Sequence, residues 1–214
     1  MHKLEKFQID FINEAINSNA LQFGDFTLKS GRKSPYFFNA SKLLTNANLK
    51  IVIDSFEARL KLNPIAIDQI FGPAYKGIIF GSMLGMKMSE NNKNLSLCFN
   101  RKEIKDHGEG GEFIGDLPEG NVLIVDDVLS AGTAAKEAIE LIKKYNAKPV
   151  GLLIGLDRQE KGSFELSAKA ELKKEFDIDI FSIINLDNLI SYLDDKNYQS
   201  QQKLMKEYRS EWGA

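Results

Sequence analysis

The chain reads as an α/β protein with a largely parallel sheet flanked by helices. Three observations predict this. From about residue 65 onward, short aliphatic runs alternate with segments of helical period. One run, Val122-Leu-Ile-Val125, is four consecutive aliphatics, the pattern of a strand buried on both faces. Most of these runs are followed by a segment of helical period, and strands alternating with helices favour a largely parallel sheet.

Taken in order, apolar residues at helical spacing predict helices over roughly 4–18 (Leu4, Phe7, Phe11, Ile12, Ala15) and 47–61 (Leu49, Val52, Ile53, Phe56, Leu60). Between them, Phe23-Gly-Asp-Phe-Thr-Leu-Lys-Ser-Gly-Arg-Lys-Ser-Pro-Tyr-Phe-Phe-Asn39 reads as two short strands joined by a turn at Ser30–Pro35. Then follow a strand at Gln69–Gly72, a helix at 76–90 and a strand at Leu95–Asn100. The polar, glycine-bearing stretch 101–116 reads as a long loop. Beyond it come the Val122–Val125 strand, a helix at 132–145 and a strand at Val150–Leu156. The remainder is a helix near 167–176, a strand at Ile178–Ile184, and helices near 186–194 and 198–210.

Composition narrows the function classes. At 214 residues the chain is one large domain, or a core with a small appendage, and is long enough to bury a core without disulfides. Lys and Arg number 28 against 30 Asp and Glu, a net charge of −2, which argues against a nucleic-acid binder that uses its whole surface. The single cysteine, Cys98, between Leu97 and Phe99, is a core residue by context and excludes a disulfide framework or cysteine-built zinc site. The N-terminal stretch carries acids and lacks a signal peptide's apolar region, and no apolar run nears the ~18 residues of a membrane span. A soluble, cytoplasmic protein is the expectation.

In open α/β sheets ligands bind beyond the carboxyl ends of the strands. The segments after residues 72, 100, 126 and 156 are where chemistry is expected. The most telling is Val122-Leu-Ile-Val-Asp-Asp-Val-Leu-Ser-Ala-Gly-Thr-Ala134. Asp126 and Asp127 are placed at the strand's end, and Ser130, Gly132 and Thr133 in a tight turn into a helix. Backbone N–H groups at a helix N-terminus favour an anion such as phosphate, and Gly132 allows close approach or a positive φ. The carboxylates suit vicinal sugar hydroxyls, or a magnesium ion faced through water. A lone Asp after a strand is commonly just a helix cap; the whole string asks for a sugar phosphate. No Gly-Lys-Ser/Thr and no Gly-x-Gly-x-x-Gly occurs, so P-loop and dinucleotide fingerprints are absent.

This string resembles the thirteen-residue phosphoribosyl-pyrophosphate (PRPP) motif of type I phosphoribosyltransferases. Four further strings, Phe26–Asn39, Phe71-Gly-Pro-Ala-Tyr-Lys-Gly77, Phe99–Gly111 and Leu156-Asp-Arg-Gln-Glu160, resemble those of the bacterial, dimeric orotate phosphoribosyltransferases, in the right order over nearly the whole chain. One departure is Ser130, where that family commonly has Thr.

The resemblance implies the type I phosphoribosyltransferase fold, with a small hood (about 1–45), a core (about 65–185), a flexible catalytic lid (101–116) and C-terminal helices (about 186–214). It implies transfer of a 5-phosphoribosyl group from PRPP to orotate, giving orotidine 5′-monophosphate and pyrophosphate. Mg2+ would be held mainly by PRPP and water, with no direct protein ligand. Lys105, His107, Asp126 and Asp127 would be catalytic. PRPP would be bound by Lys29, Tyr75, Lys76, Arg101, Lys102, Lys105 and His107, and by the run Asp126, Asp127, Val128, Leu129, Ser130, Ala131, Gly132, Thr133, Ala134. Orotate would meet Phe37, Phe38, Ser130 and Arg158, the last holding its carboxylate; strand alternation makes one of the two phenylalanines a core residue. A homodimer with shared active sites follows from the same resemblance, with no nucleic acid or membrane partner. The competing readings are a purine or uracil transferase and a PRPP-sensing regulator. The Phe37-Phe38-Asn39 and Arg158 strings oppose the first, and the lid cations oppose the second.

Overall fold

The structure is a computed structural model. It describes residues 3–28, 31–45, 47–90, 94–105, 111–161, 166–195 and 198–214, with backbone alone at 104, 105 and 195. The chain opens with α1 (Lys6–Asn17), an antiparallel hairpin β1 (Leu21–Thr27) and β2 (Lys33–Phe38), a 3-10 turn (Ala40–Leu44) and α2 (Leu49–Lys61). Strand and helix then alternate, save for three successive strands β4 to β6: β3 (Gln69–Gly72), α3 (Lys76–Ser89), β4 (Ser96–Lys105), β5 (Gly111–Gly115), β6 (Asn121–Leu129), α4 (Thr133–Lys144), β7 (Lys148–Asp157), α5 (Ala168–Phe176) and β8 (Asp179–Asn185). Helices α6 (Leu186–Asp195) and α7 (Gln199–Trp212) close the chain.

The main sheet has the order β5-β4-β3-β6-β7-β8, and every pairing is parallel except β4 with β5. Strand order reverses between β3 and β6, so the crevice beyond their carboxyl ends is a switch point, where open α/β sheets bind ligands. The sheet is buried on both faces. On one side Phe11 of α1, Phe56 of α2 and Phe80 of α3 form an aromatic column, with Phe56 and Phe80 stacked at 5.5 Å. On the other, Ile139 and Ile142 of α4 and Leu172 of α5 pack against Ile124, Leu152 and Ile154.

Two segments differ from the sequence reading. The stretch 101–116 is not simply a loop: 101–105 extend β4, and Gly111–Gly115 return antiparallel to it. Phe113 anchors the return strand, its ring edge-on to Phe71 (6.5 Å) and Tyr145 (5.0 Å). Residues 106–110 lie outside the described residues. The central strand also runs past the acidic pair. It was expected to stop at Asp126 and Asp127, but β7 keeps supplying backbone partners, pairing Val128 with Leu156 and Leu129 with Asp157. The acids are therefore held in extended backbone, not in a turn.

The join of β3 to α3 is made by two glycines. A Cβ on Gly72 would stand 2.2 Å from the Gly77 carbonyl oxygen; one on Gly77 would stand 2.5 Å from Pro73 Cδ and 2.7 Å from the Val125 carbonyl oxygen. The helix start thus lies directly on β3 and β6. Gly77→Ala is expected to force these backbones apart and lower stability by about 1–3 kcal/mol, the scale of overpacking. Urea denaturation of the purified variant checks this, and an unchanged midpoint would contradict the close packing.

Candidate active site

Because α3 starts on β3, its first residue reaches across the switch point. Lys76 Nζ lies 2.6 Å from Asp127 Oδ2, an ion pair whose carboxylate is buried and whose ammonium is partly exposed. The turn before it, Pro73-Ala-Tyr75, is held by Asn100, whose Oδ1 accepts from the Ala74 N–H at 2.8 Å. The Ala74–Tyr75 peptide is cis. Tyr75 is exposed, and Lys102 Nζ lies 5.1 Å from its ring centroid.

Asp126 accepts the Asp127 backbone N–H at 2.8 Å. Burial, then the neighbouring Asp127 charge, push its carboxyl up to about 7. It lines a cleft with Ser130, Ala131, Gly132, Thr133 and Ala134. Gly132 is the N-cap of α4 at φ 81°, a left-handed conformation that suits glycine, and no side chain caps that helix. Ser130, Ala131, Thr133 and Ala134 are exposed, Gly132 is half-buried, and Val128 and Leu129 carry β6 into the turn. Uncapped N–H groups at an exposed helix start beside two hydroxyls form a phosphate-sized anion seat.

A second cleft adjoins α4 on the side of β3 and β4, lined by Pro73, Ala74, Asn100, Arg101, Lys102 and Ala134. Arg101 also donates through Nε to the Phe113 carbonyl oxygen at 3.3 Å. The two clefts meet at Ala134: one holds Asp126 and the glycine-bearing turn, the other the cationic side chains, with the Lys76–Asp127 pair at the end of the same strand. Of the remaining expected cations, Lys29, the Lys105 side chain and His107 lie outside the described residues.

The expected base contacts come from the hairpin and from the end of β7. Phe37 is exposed and stacks on Phe26 at 5.5 Å. Phe38 is half-buried against the core, on the inner face of β2 with the fully buried Tyr36. Arg158 is no surface residue. Its guanidinium is buried over the Tyr36 ring at 4.2 Å and donates through Nε to Glu160 at 2.7 Å. Glu160, Tyr208 and Arg32 were not singled out from the sequence. For Glu160 a signal existed, since it stands two residues from Arg158 in the Leu156–Glu160 string; for Tyr208, fifty residues away, none did.

Comparison with known proteins agrees with this geometry. Residues 39–185 match the phosphoribosyl transferase domain model. An orotate phosphoribosyltransferase of Haemophilus influenzae is 44% identical over 213 residues, covering 99% of this chain and all of that protein. One from Salmonella newport has the same identity and coverage. Among solved structures, the orotate phosphoribosyltransferase of Francisella tularensis superposes with a TM-score of 0.84 at 34% identity, over 95% of this chain and 99% of that one. The switch-point acids, the anion seat and similarity along the full length all lead to one family, and the chain belongs to the orotate phosphoribosyltransferases.

Proposed function

We propose that this chain transfers the 5-phosphoribosyl group of PRPP to orotate, releasing orotidine 5′-monophosphate and pyrophosphate, a step of pyrimidine biosynthesis. The observation that carries this reading is the carboxylate pair between an uncapped, glycine-bearing helix start and a cation-bearing crevice. A ribose bearing a phosphate at one end and a diphosphate at the other matches that layout.

The 5′-phosphate sits on the Ser130–Ala134 turn, and Asp126 and Asp127 accept from the ribose hydroxyls. As the C1′–O bond breaks, the sugar gains oxocarbenium character and the departing diphosphate gains negative charge. The buried carboxylates favour the cationic sugar. Lys76, Arg101 and Lys102, with Lys105 and His107 as the resemblance implies, stabilise the leaving group. Lys76 is placed for this: an arriving diphosphate offers its ammonium a second acceptor and releases Asp127 to the ribose. Orotate is an anion through its carboxylate and its ring is delocalised; as N1 bonds to C1′ its proton passes to the departing diphosphate or to water, so no obligatory general base is assigned to the protein. Phe37, Phe38 and Ser130 border it, and Arg158 takes its carboxylate.

The family typically uses a divalent metal, and Mg2+ is the ion we assign. Among the described residues no cluster of three metal-ligating side chains exists, and Asp127 is already engaged by Lys76. Such a site fits an ion carried mainly by diphosphate oxygens and water, with no direct protein ligand. When bound, it neutralises charge on the diphosphate. We further assign a homodimer whose lids, at 101–116, complete the neighbouring subunit's site, and a cytoplasmic location, with which the free thiol of Cys98 is compatible. No helix among the described residues is long and apolar enough to cross a membrane.

Orotate absorbance is expected to fall only when protein, PRPP and Mg2+ are all present; turnover of adenine or uracil instead would overturn the assignment. The raised pKa of Asp126 makes a second test. Ionised Asp126 is the productive form, so kcat/KM for PRPP should rise with pH through about 7, and Asp126→Asn should be slow and lack that limb. For stability the sign is opposite. The folded state binds the Asp126 proton more tightly than the unfolded state, so stability falls as pH rises from 3.8 towards 7. Urea melts should find Asp126→Asn more stable than the parent at pH 8, on the order of 1–2 kcal/mol, with the difference shrinking by pH 5. Lys105→Ala is expected to lower kcat about a hundredfold, the scale of one transition-state donor. Hybrids of Lys105→Ala with Asp127→Asn subunits should regain activity, and no rescue after confirmed exchange would argue against shared sites.

A further inference from the structure

We propose that Glu160 and Tyr208 are positioning residues for Arg158, holding its guanidinium where it receives the carboxylate of the pyrimidine substrate. This rests on the reading of Arg158 as a base-binding group given above.

Arg158 follows the end of β7, and its backbone N–H donates to the Leu129 carbonyl oxygen at 3.2 Å. That places it beside the end of the acidic strand. Its side chain points towards the hairpin, with Nη2 3.3 Å from Ser34 Oγ and 3.4 Å from the Tyr208 hydroxyl. Ser34 stands three residues before Phe37 on β2, so the guanidinium lies between the core strands and the hairpin.

The contacts to Arg158 are unequal. The Nε–Glu160 bond is short, at 2.7 Å, and both Nη2 contacts are long. Among the described residues Nη1 makes no hydrogen bond to protein. One edge of the guanidinium is thus tied down while donors at its end remain for a ligand, the disposition that end-on carboxylate recognition requires.

Charge points the same way. Glu160 Oε1 accepts from Arg158 and from the Tyr208 hydroxyl, and Oε2 accepts from Arg32 Nη1 at 3.0 Å. Two buried or half-buried arginines thus share the Glu160 carboxylate, while the other buried carboxyl nearby, Asp157, accepts from the Gln159 N–H and pairs with neither of them. A one-to-one structural ion pair has no need of a second arginine; an anionic substrate would give it a partner.

Glu160 is itself held by the end of the chain. It bridges to Gly213, while the Lys161 N–H donates to the Trp212 carbonyl oxygen at 2.8 Å and the Ala214 N–H to that of Gln159 at 3.0 Å. Arg32 stacks on Trp212 at 4.3 Å. The last turn of α7 is therefore a strap across 157–161, and it sets the arginine before substrate arrives. Pre-ordering lowers the entropy that an arginine would otherwise lose on binding.

Steady-state kinetics on the 214-residue chain tests this with Tyr208→Phe, Glu160→Gln and Arg158→Ala, plus the Tyr208→Phe/Arg158→Ala double variant. Tyr208→Phe and Glu160→Gln are expected to raise the KM for orotate about tenfold, with kcat and the KM for PRPP within about twofold. Arg158→Ala should raise it further, and adding Tyr208→Phe should then change nothing, because the hydroxyl acts through the arginine. If Arg158→Ala leaves the orotate KM unchanged, the base-binding reading fails and the proposal with it. If Arg158→Ala raises it but Tyr208→Phe and Glu160→Gln do not, or lower only the melting temperature, positioning alone is overturned. Equal effects of Tyr208→Phe with and without Arg158 also overturn it. Should Glu160→Gln not fold, Tyr208→Phe, which removes one hydroxyl, decides the question.

Discussion

The ion pair between Lys76 and Asp127 is the interaction on which the site depends. It joins the first residue of α3 to the central strand across the switch point of the sheet. A lysine at a helix N-terminus opposes the helix dipole, and two adjacent carboxylates at the end of a buried strand repel one another. Each feature alone is unfavourable. Together the ammonium offsets part of the carboxylate repulsion, and the carboxylate offsets the dipole. The pair requires the close seat of α3 on β3 and β6 that Gly72 and Gly77 permit. Packing in the sheet thus sets the electrostatics of the crevice.

The compensation is incomplete, and Asp126 carries the remainder. Lys76 is hydrogen-bonded to Asp127, and Asp126 has one backbone N–H against its burial and its neighbour's charge. An unbalanced carboxyl at the position proposed for the ribose suits a reaction whose sugar becomes transiently positive. Natural sequences break local rules of stability at such positions.

Much of this was legible in the sequence because the informative residues are contiguous. The aliphatics of 122–125, the two acids and the Ser-Ala-Gly-Thr turn follow one another, so strand, carboxylates and anion seat are read from one string. The extension of the strand through Leu129 was not, because it depends on β7, whose register no local pattern reveals. The strands of 101–105 and 111–115 were hidden for another reason. Most of their residues are charged or glycine, and pairing is decided by Phe113 lodging between Phe71 and Tyr145, neither of them near in sequence. The setting of Arg158 was hardest to see. Ser34 and Tyr208 meet it from 124 and 50 residues away.

The net charge of −2 also takes on a different meaning. Several of the acids are tied up in exposed pairs one helical turn apart, such as Lys6–Asp10, Lys50–Asp54 and Lys173–Asp177, which contribute little to stability and nothing to the crevice. The charges that matter are those withdrawn from water. At the switch point, two carboxylates share one lysine; beside the hairpin, two arginines share one glutamate. The first imbalance is negative and the second positive. A substrate pair whose sugar turns cationic while its base carries a carboxylate, seated as proposed above, would meet each with the opposite sign, so the small net charge of the molecule averages over two local groupings of unlike sign.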